Sequence, residues 1–333
     1  MTTQQLQALL AQPQQIVITT HKSPDGDAMG SSLGLYNFLI QLNHTVTVVT
    51  PNEYPVNLTW LPNNDKVVIA TQQPQKAAQL IANATLLFTL DFNNLTRIDQ
   101  LGDLVAASTA PKVMIDHHLE PSNYATYMLS DVSSSSTCEL IYVFMELMEK
   151  TNLLNKDIAE CLYTGILTDT GCFKYYSCTN RTHAVVAQLL AAGVKNQEIH
   201  ERIFDADNIN RKRLHGYAMA HKMYKLDPLP IMVSSLTEGE LNEYNYETGN
   251  ADGIVNIGLS VSGIKLSAFF VERDGAVKIS FRSKGTFNVN EFSRKHFNGG
   301  GHANAAGGGS DLSLAETIKQ FENIIPQYAN ELV

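Results

Sequence analysis

Short, continuous apolar runs alternate with longer amphipathic stretches through the first part of the chain. The runs IVITT at 16–20, TVTVVT at 45–50, KVVIA at 66–70, ATLLFTLD at 84–91 and PKVMIDHH at 111–118 are rich in β-branched residues and read as buried strands. Between them, apolar positions recur at helical spacing. Met29, Leu33, Tyr36 and Ile40 form the apolar face of a helix over 28–42, and further helices are expected over 3–11, 74–82 and 99–107. Such alternation predicts an α/β fold with a doubly wound, mostly parallel sheet. Thr126–Ser130 is expected as an antiparallel edge strand. Helices follow over 137–150, 156–168 and 181–192, the last closed by Gly193.

The pattern then changes. Residues 196–205 and 209–224 read as polar helices suited to an interdomain arm. After Pro228-Leu229-Pro230 come a strand, IMVSSL, and a short acidic helix over 238–246. Strands flank a hairpin turn at Asp274-Gly275, and helices are expected over 290–297 and 314–325. The expected organisation is a first domain over 1–193, a helical linker over 194–227 and a smaller α/β domain over 228–333.

Composition narrows the partners. The 333 residues are 44% apolar and 17% charged, with a formal net charge of −9. This charge argues against long duplex DNA and anionic membranes, which are bound mainly through phosphates. No charge-free apolar run approaches the length of a membrane span. Cys138, Cys161, Cys172 and Cys178 lack C-x-x-C spacing and read as reduced thiols of a cytoplasmic protein, three of them core filler.

The candidate chemistry lies at strand ends. His21, Asp25 and Asp27 surround a Pro-Asp-Gly turn just after the first strand. An imidazole and two carboxylates this close make either a solvated turn or a cation site, because uncompensated charge in a core costs several kcal/mol or more. Asp91 ends another strand, where an Asx turn is the plain alternative. Asp116, His117 and His118 form a third strand tip. A parallel sheet brings such tips together across a crevice. Asp169 falls at the C-terminal end of a helix, where a carboxylate is unfavourable unless a cation offsets it. The run Ser133–Thr137 reads as a helix cap, with its hydroxyls facing the crevice as the alternative. The glycines around His302, from Gly299 to Gly309, are close enough for backbone N–H groups to approach an anion, with a flexible linker as the alternative.

HKSPDGDA at 21–28, Asp91, DHH at 116–118, TDTGCF at 168–173 and GGGHANAAG at 299–307 resemble, in order and spacing, the five motif blocks of the DHH/DHHA1 phosphoesterases. The resemblance covers essentially the whole chain. It is strongest to the bacterial nanoRNase/pAp phosphatase branch, with Asn298 standing where that branch often has a further glycine. It implies a DHH domain, a DHHA1 domain and an active site in the cleft between them. It also implies two divalent ions, Mn²⁺ first, with Mg²⁺, Co²⁺ or Fe²⁺ as alternatives. His21 and Asp25 would hold one ion, Asp27, His117 and Asp169 the other, and Asp91 would bridge them. Asp116 and His118 would orient ligands or face the substrate, with His118 the catalytic candidate for the leaving oxygen or a phosphoryl oxygen.

In the second domain, Arg282, Ser283, His302 and the backbone of Gly299, Gly300 and Gly301 would hold a phosphate or nucleotide. The implied substrates are short oligoribonucleotides or pAp, and relatives of this branch often pair, so a homodimer is expected. A cyclic-dinucleotide or linear pApA phosphodiesterase is the alternative within the enzyme class. A non-catalytic nucleotide-binding module is the alternative outside it, and the presence of all six candidate ligands speaks against that reading. An aromatic for base stacking would come from Tyr175, Tyr176, Phe281 or Phe287.

Overall fold

Five of the six strands of the first sheet come from the apolar runs: β1 (Gln15–Thr20), β2 (Thr45–Thr50), β3 (Val68–Ile69), β4 (Leu86–Leu90) and β5 (Lys112–Asp116), with β6 (Tyr127–Ser130) at the edge. Their order is β3-β2-β1-β4-β5-β6 and every pairing is parallel. The computed structural model describes all residues except 176, 206, 207 and 333. They divide into two units, Met1–Ala206 and Asp207–Val333.

In the first unit the helices are α1 (Thr3–Leu10), α2 (Gly26–Ile40), α3 (Pro74–Asn83), α4 (Leu101–Ala107), α5 (Thr137–Leu147), α6 (Lys156–Asp169), α7 (Asn180–Ala191) and α8 (Asn196–Phe204). Helices α2, α5 and α6 share one core with Ile16, Ile18, Phe88 and Ile115 of the sheet; α3 and α4 form a second core with Val17, Val49 and Leu87. Each fully buried Phe or Leu side chain in such layers contributes roughly 1.5–3 kcal/mol. Helix α2 is buried on nearly its whole circumference, so Met29, Leu33, Tyr36 and Ile40 are only part of its packed surface, and Ile40 is exposed at its end.

Several expectations are corrected. Strand β6 runs parallel to β5, with Val113 paired to Tyr127 and Asp116 to Ser130. Residues 117–126 cross back over the sheet, and a four-residue strand carries no pattern that could set its direction. Helix α2 begins at Gly26, so Asp27 lies in its first turn rather than in the loop. Strand β3 is only Val68–Ile69, because Asn64–Lys66 form a 3-10 turn. Two cysteines, not three, are core residues: Cys138 and Cys161 are buried, Cys172 is exposed and Cys178 half-buried.

The segment expected as a linker is divided between the units. In the first, Asn57 Nδ2 donates to Ile203 O at 3.2 Å and the Arg202 guanidinium lies 4.6 Å from the Trp60 ring centre, fastening α8. In the second, α9 (Ile209–Tyr217) stops short of 224, widening into a π turn over Ala218–Lys222 before β7 (Met223–Lys225).

The second unit continues with β8 (Ile231–Leu236), α10 (Glu238–Glu243), α11 (Ile254–Ser260), β9 (Leu266–Arg273), β10 (Ala276–Ser283), α12 (Val289–His296), β11 (Gly300–His302), β12 (Ala305–Ser310) and α13 (Leu314–Ile324). Its sheet has the order β11-β12-β10-β9-β8-β7, antiparallel except between β8 and β9. Asp274 and Gly275 both have positive φ, 56° and 76°, as the β9–β10 hairpin turn demands. Residues 258–260 belong to α11 rather than to a strand. Phe270, Phe281, Phe292, Phe297 and Phe321 pack the core ring against ring. Among the described residues no helix is long and apolar enough to cross a membrane.

Candidate metal centre

In the order β3-β2-β1-β4-β5-β6 the chain switches direction of growth between β1 and β4. Open α/β sheets leave a crevice at the carboxyl ends of the two strands at such a point. His21 follows β1, Asp91 follows β4, and Asp116, His117 and His118 end or follow β5. Helix α2 leaves β1 through Asp25, its N-cap, whose Oδ1 accepts from the N–H groups of Asp27 and Ala28 at 3.0 and 3.1 Å. Helix α6, packed along α2, delivers Asp169 as its last residue.

The six candidate ligands converge in two overlapping groups. His21 Nε2 lies 3.8 Å from Asp25 Oδ1 and 3.4 Å from Asp91 Oδ2. His117 Nε2 lies 3.8 Å from Asp27 Oδ2, 3.7 Å from Asp91 Oδ1 and 3.5 Å from Asp169 Oδ2. Asp91 therefore faces both groups, one oxygen to each. Its φ of 64° is left-handed, a conformation Asp tolerates better than bulkier residues but one that still has to be held by its surroundings. His118 Nδ1 lies 2.7 Å from Asp116 Oδ1 and 3.7 Å from Asp91 Oδ1. Asp116 is fully buried, and its Oδ2 has no hydrogen-bond partner among the described residues.

The electrostatics fit a divalent cation. Burial, with the charges of Asp91 and Asp169, pushes the Asp27 carboxyl well above its ordinary range. Burial also raises Asp169, to about 7, against the pull of His117. Burial opposes a charged imidazole at His117, yet Asp169, Asp91 and Asp27 outweigh it and lift the ring to about 9. Carboxylates packed this closely repel one another, and a metal removes that repulsion. Oxygen and imidazole donors together suit hard-to-borderline divalent ions.

Two further residues reach the site, the first of them the last of the hydroxyl-rich run Ser133–Thr137. Thr137 and Cys138, the first residues of α5, donate their N–H groups to Asp27 Oδ2 and Oδ1 at 2.7 and 2.8 Å. The Thr137 hydroxyl donates to Asp91 Oδ1 at 2.9 Å. Ser136 is the N-cap, so the serine run does cap the helix, while the next hydroxyl turns to the crevice. The available signal was the helix start itself, which favours carboxylates. Gly165 lies one turn before Asp169 on α6, and a Cβ there would overlap Cys138 Sγ and come within 2.8 Å of Asp27 Oδ1.

In the second unit the glycine-rich run is not a loop. It forms β11 and β12, with β11 at the edge of the sheet, rather than a flexible linker. Close packing against Ser293 of α12 explains two of the glycines: a Cβ on Gly299 would overlap Gly307 O and Ser293 Oγ, and one on Gly308 would come within 2.9 Å of Ser293 Oγ. Asn298 takes φ 48°, a left-handed position where Asn is tolerated. Ala305 pairs with His302 on one side and with Arg282 on the other. Paired positions share a face, so Arg282 and His302 rise from the same face, roughly 10 Å apart at the backbone, over a small residue. Ser283 faces the opposite way; its Oγ donates to Phe287 O at 2.7 Å and accepts from Asn304 Nδ2 at 2.9 Å. Phe281 and Phe287 are core residues and Tyr175 is exposed; Tyr176 lies outside the described residues.

The comparisons with known proteins follow the same division. The DHH family, N-terminal domain, matches residues 15–166 and the DHHA1 domain residues 229–331. A bifunctional oligoribonuclease and PAP phosphatase of Bacillus subtilis is 29% identical over 293 residues, 88% of each chain. Its counterpart from Thermus thermophilus is 30% identical over 317 residues, 95% of this chain and 90% of the other. The crystal structure of an exopolyphosphatase-related protein from Bacteroides fragilis matches with a TM-score of 0.96 at 37% identity, covering 99% of this chain and 97% of that one. The chain therefore belongs to the DHH/DHHA1 phosphoesterases, on the branch that includes the bifunctional oligoribonucleases and PAP phosphatases.

Proposed function

We propose that the protein is a metal-dependent phosphoesterase that hydrolyses short 5′-phosphorylated oligoribonucleotides and pAp to mononucleotides and phosphate. The observation that carries this reading is the convergence of His21, Asp25, Asp27, Asp91, His117 and Asp169 at the β1/β4 switch point, with Asp91 facing both groups. The substrate class follows the names of the relatives from Bacillus subtilis and Thermus thermophilus.

His21 and Asp25 would hold one divalent ion, Asp27, His117 and Asp169 a second, with Asp91 shared; Mn²⁺ is the ion we favour for these donors. Such ions, when bound, polarise phosphoryl oxygens and lower the pKa of an attacking water. The remaining work falls to the chain. Asp116 accepts from His118 Nδ1, which fixes the ring. A protonated His118 then donates from Nε2 to the leaving oxygen as the P–O bond breaks, and recovers its proton from solvent. Burial of His21, Asp27, Asp91 and His117 excludes bulk water from them and strengthens each contact with developing charge.

In the second unit we assign phosphate or nucleotide binding to Arg282 and His302 on their shared sheet face, with the backbone of Gly299, Gly300 and Gly301. Ser283 supports this face by tying down the turn that follows β10. We further propose a cytoplasmic location, a homodimer, and no role on long duplex DNA.

The test is product release by purified protein with Mn²⁺ on pAp, a 5′-phosphorylated diribonucleotide, cyclic di-AMP and pyrophosphate. Mononucleotide from the first two is the expected result. Preference for cyclic di-AMP would replace the substrate assignment with a cyclic-dinucleotide phosphodiesterase. Silence on all four, with Mn²⁺ shown to be bound, would replace catalysis with nucleotide binding.

A further inference from the structure

The start of α5 touches three of the assigned ligands at once. The N–H groups of Thr137 and Cys138 hold both oxygens of Asp27, and Ser134 O lies 3.3 Å from His117 Nδ1. Those contacts are made by backbone and do not depend on side-chain identity. The contact to Asp91 is different, because a side chain makes it: Thr137 Oγ1 donates to Asp91 Oδ1 at 2.9 Å. Thr137 is fully buried. A hydroxyl has one proton to give, and an ionised carboxylate only accepts, so the direction of this bond is fixed.

Asp91 has a demanding geometry. Oδ2 points to His21 at 3.4 Å while Oδ1 points to His117 at 3.7 Å. A carboxylate is free to rotate about Cβ–Cγ in a broad well, and neither oxygen is favoured by the backbone alone. We infer that Thr137 is a positioning residue of the metal centre: its hydroxyl fixes the rotation of the Asp91 carboxylate so that one oxygen serves each ligand group. This rests on the metal-centre reading proposed above.

Thr137 is itself held firmly. Glu139, 1% exposed, accepts through Oε2 from Ser135 N at 3.2 Å, from Ser135 Oγ at 2.5 Å and from Thr182 Oγ1 at 2.8 Å. Thr182 belongs to the first turn of α7. The segment that carries Thr137 is thus fastened to a neighbouring helix by a buried carboxylate, more than an isolated helix cap requires. A supporting shell of this kind sets the precision with which a ligand is presented.

The experiment compares Thr137→Val, which keeps the branched shape and loses the hydroxyl, with Thr137→Ser, which keeps the hydroxyl. Mn²⁺ binding to the metal-free proteins is titrated calorimetrically, with metal-free melting temperature as the fold control and Asp91→Ala as the reference for a lost ligand. Thr137→Val is expected to weaken Mn²⁺ binding by about 10- to 100-fold, and Thr137→Ser to restore it. The Mn²⁺ concentration for half-maximal turnover should rise in parallel. If Thr137→Val binds like the wild type while Asp91→Ala does not, the positioning role is overturned and the metal centre stands. If Asp91→Ala also binds like the wild type, the metal-centre reading fails and takes the inference with it. Should Thr137→Val not fold, Thr137→Ala takes its place in the same titration, with the same expected loss and the same overturning result.

Discussion

His118 Nδ1 and Asp116 Oδ1 stand 2.7 Å apart, two residues from each other along the tip of one strand. A carboxylate can only accept, so Nδ1 carries the proton in this pair. His117, between them in sequence, turns the opposite ring nitrogen to its carboxylates. The neighbouring histidines of this motif thus present opposite ring nitrogens to carboxylates.

Replacing His118 with Ala should lower kcat by about 10²–10⁴-fold, the range for loss of a positioned acid or base. Mn²⁺ affinity should stay near that of the wild type. Stopped assays and calorimetry on one preparation separate the two quantities. A parallel loss of metal would make His118 a ligand, together with Asp91 and Asp116.

Metal binding should weaken as pH falls. In the metal-free protein His117 keeps its proton up to about 9 and Asp169 up to about 7. Both protons must leave for these residues to ligate, so affinity rises with pH through both values. Calorimetry at pH 7 in buffers of different ionisation enthalpy would register the released protons. A buffer-independent heat would contradict the assignment of these two residues as ligands.

Removal of metal should destabilise the first unit. The carboxylates of Asp25, Asp27, Asp91 and Asp169 then repel one another at short range. Mn²⁺ at a hundred times its dissociation constant adds about 2.7 kcal/mol to the folded state. Thermal melts with and without EDTA should show the transition of the first unit rising with Mn²⁺; an unchanged melt in saturating metal would oppose a site confined to the folded protein.

Gly165→Ala should be far more damaging than a methyl group on an ordinary helix. The added Cβ would overlap Cys138 Sγ and press on Asp27, whose Cα would lie 3.0 Å away. Overpacking of this kind costs about 1–3 kcal/mol, and here it also displaces a proposed ligand. Chemical denaturation and Mn²⁺ titration of the same variant should both register the change. A variant of wild-type stability and affinity would mean that α5 and α6 can separate at no cost.

In the second unit, Glu240 is a pH-sensitive support. Burial opposes its charge, but Lys222 Nζ at 2.8 Å, the Thr237 N–H at 2.8 Å and the Tyr217 hydroxyl at 2.6 Å hold its carboxyl down at about 2. A lowered folded pKa stabilises above the unfolded value of about 4.5 and loses that contribution as pH falls toward about 2. Glu240→Gln should cost about 1–3 kcal/mol at pH 7 and progressively less below pH 4.5. Urea titrations of the two proteins at pH 7 and pH 3 would measure the difference; equal penalties at both would remove charge from the explanation.

The convergence of the candidate ligands was legible because strand tips are legible. An apolar run that stops abruptly at His21, Asp91 or His117 marks both an element and its chemical end, and a parallel sheet aligns such ends. Asp27 was placed in a loop because Pro24 and Gly26 signal a turn, whereas Asp25 caps a helix that begins one residue later. Thr137 was obscured by the serines before it, any of which could have faced the crevice. The glycine run was ambiguous because glycine lacks the side chain that gives a strand its alternation; its β structure is set by α12 packing on it, a contact no local pattern records. The direction of β6 was equally hidden, since polarity along four residues is the same read either way.

His21, Asp91, His117 and Asp169 meet only because β4 pairs with β1 on the side away from β2. On a growing polypeptide, β2 and β3 emerge before β4, and β1 has to keep its other edge open until residues 86–90 appear. A one-residue slip in that later pairing would turn Asp91 to the opposite face of the sheet. Metal capture at the proposed centre would thus act as an inspection of topology and register: a misassembled chain would leave that centre without its shared oxygen ligand, however much secondary structure it had formed.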